Sequence, residues 1–245
     1  MSDAASATPK PSGREAIVEA LMRLAARRPW DEIEIADIAV EAGVSLADFR
    51  DAFPSKGAVL GGFSRMIDRK VLEGTTDDLA GEPARERIFD VIMRRFDAME
   101  PYRPALRRIL PAFQRDPVAL AALNKGALNS QRFMLAAAGI STEGPLSTLK
   151  LQGAVLVFAN TLRVWLDDDD PTLARTMARL DRELKRGERV LEQAEDVRRL
   201  TAPFRAMGRA FMNARRDGRG ERRTPEADAP VSPKDGDAVN PAAAI

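Results

Sequence analysis

Four consecutive aspartates at 167–170 are the densest set of potential metal ligands in the chain. They lack the alternating spacing of a calcium loop. Asp170 stands directly before Pro171, the pattern of a helix N-cap followed by proline at the first helical position. The run therefore reads as a solvated turn. No histidine and no cysteine occur in the 245 residues. Their absence removes the commonest general base, the commonest metal ligand, thiolate nucleophiles and disulfides. The sequence accordingly predicts no catalytic set, no metal, no cofactor and no enzyme.

Charge points the same way. Thirty-eight basic and 37 acidic residues nearly cancel, so any affinity for nucleic acid must come from a local patch. The N-terminal stretch has no apolar run of the signal-peptide kind, and no segment is apolar over a span-length window. These features predict a cytoplasmic protein.

The elements that would position a binding site are helical. Residue Ser12 followed by Glu15 fits a capping box, and Ile17, Leu21 and Leu24 stripe the helix behind it until Pro29. In 34–56, Ile35, Ile38 and Ala39 share one helical face. The pattern breaks at Ala42-Gly43-Val44, and Ser45 caps a second short helix carrying Phe49 and Phe53 four residues apart. Two short helices joined by a glycine turn, each with one apolar face, make a helix-turn-helix. A long helix then opens at Ser55-Lys56 and continues through Leu60, Phe63, Ile67 and Val71. From Pro83 onward every apolar stripe has helical period. Stripes at 88–96 and 106–113 precede helices predicted at 118–138, 145–166 and 171–187.

The block Ile38-Ala39, Ala42-Gly43-Val44-Ser45, Phe53-Pro54-Ser55-Lys56 and Leu60 resembles the DNA-binding head of the TetR regulator family. That resemblance implies an all-α chain: a three-helix helix-turn-helix head on a helical-bundle body that dimerises and binds a ligand. It implies that the helix at 45–53 enters the major groove of an operator, with Ser45, Leu46, Ala47, Phe49, Arg50 and Lys56 as DNA-binding residues. Arg50 stands where the family usually has a phosphate-binding tyrosine, and Ala52 where it has a histidine. Asp31, Glu32, Glu34, Asp37, Glu41, Asp48 and Asp51 crowd the same surface, an electrostatic penalty for phosphate binding. By the same analogy a homodimer would read a palindrome, and Phe96, Tyr102, Phe113, Phe133 and Phe158 would line a pocket for a small apolar effector.

Residues 151–184 are similar to the C-terminal part of the COQ9 family, which implies lipid binding on the same fold without DNA. The matching residues are Trp165-Leu166, the acidic loop, Pro171, Thr176 and Leu180-Asp181. Further on, Leu200, Phe204, Met207 and Phe211 repeat among arginines. Three roles fit this stretch: a docked terminal helix, an amphipathic helix on an anionic membrane with Phe204, Met207 and Phe211 inserted, or a basic tail that aids DNA affinity. The predicted organisation is a disordered tail at 1–11, the head at 12–60, the ligand and dimer body at 61–187, a basic amphipathic helix at 188–216 and a disordered tail at 217–245. The predicted function is a ligand-responsive repressor, with a COQ9-like lipid-binding accessory protein as the alternative.

Overall fold

A computed structural model of the chain describes residues 13–75, 79–114 and 117–220. The predicted tail at 1–11, the cap Ser12 and residues 221–245 lie outside them. The elements among the described residues are all helices, with no strand: α1 (Gly13–Arg27), α2 (Ile35–Ala42), α3 (Leu46–Ala52), α4 (Lys56–Glu73), α5 (Ala84–Met99), α6 (Arg103–Gln114), α7 (Pro117–Ala137), α8 (Ser147–Leu166) and α9 (Ala174–Gly220). Single 3-10 turns at Trp30–Glu32 and Glu100–Tyr102 join α1 to α2 and α5 to α6.

The head forms where local rules place it. Ile17, Leu21 and Leu24 of α1 are buried together with Ile38 and Ala39 of α2. Gly43 ends α2 in the left-handed region at φ 66°, which glycine adopts without a Cβ penalty. The Gly43 and Val44 N–H groups return to the carbonyls of Val40 and Ala39 at 3.1 and 3.0 Å, closing a Schellman motif. Ser45 then caps α3: its Oγ accepts the Asp48 N–H at 3.0 Å. Ser55 does the same for α4 through the Ala58 N–H. Gly62 of α4 sits against the Phe53 ring, where an added Cβ would come within 2.8 Å of two ring carbons.

Two compact units divide the chain, residues 1–195 and 196–245. In the first, Phe96 stacks between Phe158 and Trp165 at centroid distances of 5.4 and 5.3 Å. Trp30 meets Phe113, and Phe63 meets Tyr102 edge-on, each at 5.1 Å. The described part of the second unit continues α9 as helical backbone.

Two expectations for the C-terminal half change. The last predicted body helix was to begin at Pro171 under an Asp170 cap and to stop near 187. It begins at Ala174: Asp170 Oδ1 accepts the Thr172 N–H at 2.9 Å as a cap would, but Leu173 then leaves the helical region at φ 51°, and Asp168 takes the Thr176 N–H and hydroxyl at 2.9 and 2.6 Å. It also runs through Gly187 to Gly220. One interior glycine costs a helix only about 1 kcal/mol against alanine, too little to end it between strong helix formers. The side chains of Phe204, Met207 and Phe211 lie outside the described residues. No described helix is long and apolar enough to cross a membrane.

Candidate DNA-reading surface and apolar groove

Helix α3 splits its residues cleanly between two faces. Phe49 is 1% exposed and packs on Phe53 with ring centroids 6.5 Å apart. Placed among the expected DNA contacts, Phe49 instead anchors α3 to the head. Leu46, Ala47, Arg50 and Asp51 occupy the opposite, exposed face. Ser45 is exposed, but its hydroxyl is engaged: besides capping, it donates to Asp48 Oδ2 at 2.7 Å.

Lys56 is also placed differently from the expectation. Its ammonium donates to the carbonyls of Trp30 at 2.7 Å and Ile33 at 2.8 Å, and lies 4.3 Å over the Trp30 ring. Partial burial lowers its pKa, against the pull of Asp31 and Glu34. Lys56 therefore staples α4 to the chain between α1 and α2. Arg50 is the expected phosphate partner that stays exposed, and no ion pair or hydrogen bond engages it among the described residues.

Two of the seven crowding carboxylates, Glu41 and Asp37, are paired with arginines. Arg23 Nε reaches Glu41 at 2.7 Å and Arg27 joins it at 3.3 Å. Arg28 pairs with Asp37 at 3.0 Å. The hydrogen bond from Arg23 holds the Glu41 carboxyl below its ordinary range. The Glu34 N–H and then Arg28 do so for Asp37, and the Ser45 hydroxyl and N–H for Asp48. Three arginines of α1 and its C-terminal end are thus committed to α2 carboxylates. Because these folded pKa values are depressed, their contribution to stability is complete above the ordinary values of 3.8 and 4.5 and is lost as pH falls through the folded ones. Acidification through that window is expected to loosen α2 and α3, seen as a fall in helical circular dichroism that Glu41→Gln shallows.

None of the five predicted effector residues lines the apolar groove of the molecule. Phe96, Phe158 and Phe113 fill the interior with ring contacts, the Tyr102 hydroxyl donates to Glu19 at 2.5 Å, and Phe133 is exposed. An apolar groove of about 650 Å³ opens instead between α5, α8 and α9, floored by Ile88, Ile92, Leu135, Val157 and Leu184. Gly153 and Gly187 line it, and a Cβ built on either would meet nothing within 4 Å. The rim is charged: Arg85 lies 3.6 Å from Glu188, and buried Glu183 is held by Arg179 at 2.8 Å and Arg186 at 3.3 Å.

A buried cluster the sequence reading missed lies between α4, α5 and α7. Arg95 Nη1 is 3.0 Å from Asp68 Oδ1 and donates to the Ser130 hydroxyl, which in turn donates to Asp68 at 2.8 Å. The guanidinium also stacks 4.7 Å over Phe158. Among the described residues no group of carboxylates is arranged to hold a metal ion.

Solved structures that superpose on this arrangement include transcriptional regulators. A TetR regulator from Nitrosomonas europaea ATCC 19718 superposes with a TM-score of 0.57 at 22% identity, over 71% of this chain and 97% of its own. The chain has the TetR-regulator fold. A second TetR regulator, from Rhodococcus sp. RHA1, superposes at 0.53 with 18% identity, over 71% of this chain and 95% of its own. No protein-family model matches the sequence, and no curated protein matches it.

Proposed function

We propose that the protein is a DNA-binding transcriptional regulator that acts as a homodimer and answers to an apolar small molecule. The observation that carries the reading is the head: α3 is held from behind by Phe49 and Phe53, and turns Leu46, Ala47 and Arg50 outward. Carboxylates on neighbouring α2 are already paired by α1-side arginines, so their repulsion of phosphate is reduced. Exposed Met177 on α9 supplies apolar surface for a second copy, while exposed Leu149 and Leu156 on α8 edge the groove. The α5–α8–α9 groove has the size and lining of a small-molecule site. Repression, by an operator-bound dimer that the effector releases, is the mode this arrangement suits.

The test is binding of the full chain to its own upstream DNA across a salt series. Affinity is expected to fall as salt rises, and Arg50→Ala to weaken binding and reduce the salt slope by about one unit. Lys56→Met is expected to lower the melting temperature while leaving that slope unchanged, because its ammonium serves two carbonyls. Absence of selective binding at low salt would overturn the regulator. The same groove, with its aliphatic floor, would then favour the second reading, a COQ9-like lipid-binding accessory protein that uses the fold without DNA.

A further inference from the structure

We propose that the head reads the 5-methyl groups of thymine in the major groove, through Leu46 and Ala47. The inference rests on the DNA-binding reading and specifies what the head recognises.

Three observations converge on it. First, the outward face of α3 begins with two apolar side chains: Leu46 is 58% exposed, and Ala47 beside it is exposed. Second, the polar groups of that first turn are turned back on the protein. The Ser45 hydroxyl both caps Asp48 and donates to it, and Asp48 Oδ2 accepts from Ser45 N–H and Oγ. The Phe49 side chain points into the core. Third, the large apolar side chains exposed within 13–60 all belong to α2 and α3: Ile35, Val40 and Leu46. Helix α1 of the same head exposes none.

Base edges in the major groove carry hydrogen-bonding atoms and one apolar group, the thymine methyl. A hydrogen-bonding base opposite Leu46 or Ala47 would lose its water without gaining a partner, which penalises guanine, cytosine and adenine there. A thymine methyl gains contact instead. Arg50 stands one turn further along the same exposed face, where it adds charge without competing for those positions.

The experiment selects binding sites for the full chain from a random duplex pool, then replaces each fixed thymine with deoxyuridine. That exchange removes the methyl and leaves every hydrogen-bonding atom in place. The selected half-sites are expected to hold thymine at fixed positions, and the wild type to bind about fourfold more weakly for each contacted methyl removed. Leu46→Ala, at an exposed site, should keep the wild-type melting temperature and lose most of the deoxyuridine penalty at one position. Wild-type indifference to deoxyuridine overturns the inference while leaving the regulator intact. So does a Leu46→Ala protein that keeps the full penalty. If no sequence is enriched at all, both readings fall together.

Discussion

Arg95→Met is expected to destabilise the fold by about 3–5 kcal/mol, the cost of breaking a buried ion pair from one side. Arg95 is 5% and Asp68 8% exposed, so neither charge can recover its hydration in place. Burial pushes the Asp68 pKa up, while Arg95 and then the Ser130 hydroxyl pull it back. Burial likewise lowers Arg95, with Asp68 opposing. Removing the guanidinium leaves a buried carboxylate with only the Ser130 hydroxyl among these partners. Asp68→Leu added to Arg95→Met is expected to recover most of the loss, since an apolar pair of similar volume has no charge to desolvate. The sign of the pH dependence follows from the raised carboxyl. An acid whose folded pKa is raised favours the folded state most at low pH, and that advantage is lost as pH rises through the folded value. The Arg95→Met deficit should therefore shrink on acidification, whereas the double variant should show no such trend. Urea denaturation at several pH values measures both, and a single variant as stable as the wild type would remove the argument. The pair joins α4, which leaves the head, to α5 and α7, so the deficit should appear in the melting of the body.

The residues of this cluster show why some of the molecule was legible in advance and some was not. Gly43, Val44 and Ser45 act on their immediate neighbours, so the turn between α2 and α3 follows from the order of residues alone. The four-residue spacing of Phe49 and Phe53 likewise implies an inward face. It outweighs the family resemblance that placed Phe49 among the DNA contacts. Lys56 obeys no local rule: its ammonium finds carbonyls 26 and 23 residues away, at Trp30 and Ile33. Asp68, Arg95 and Ser130 meet across 35 and 62 residues, and each interrupts an apolar stripe that still reads as plain core. The groove was hidden for a different reason. Bulky residues such as Phe96 and Phe158 advertise themselves in a sequence but close on each other, whereas a cavity depends on where atoms are missing, here Gly153 and Gly187.

Phe49→Ala is expected to cost about 3–5 kcal/mol, the range for deleting a buried aromatic ring. Helix α3 has seven residues, well short of the roughly 12–15 at which an isolated helix becomes even marginal in water. It persists because Phe49 and Phe53 fasten it, and Phe53 is itself set against Gly62, with the Arg14 guanidinium 4.8 Å from its ring centroid. Without the Phe49 ring, the cap at Ser45 remains, but a cap contributes only about 1 kcal/mol. The loss should fall on the head first. Trp30 borders the head and Trp165 is buried in the body, and the chain has no other tryptophan. In a Trp165→Phe background, fluorescence therefore follows Trp30 alone. The Phe49→Ala transition should then move to lower urea by fluorescence than by helical circular dichroism. Coincident transitions with a loss under about 1 kcal/mol would mean that α3 does not depend on this ring. The same variant should also lose DNA binding although Phe49 touches no DNA. Leu46→Ala and Arg50→Ala, three and one positions away on the exposed face, should weaken binding at unchanged stability. Only that contrast separates a residue that holds the reading helix in place from one that reads.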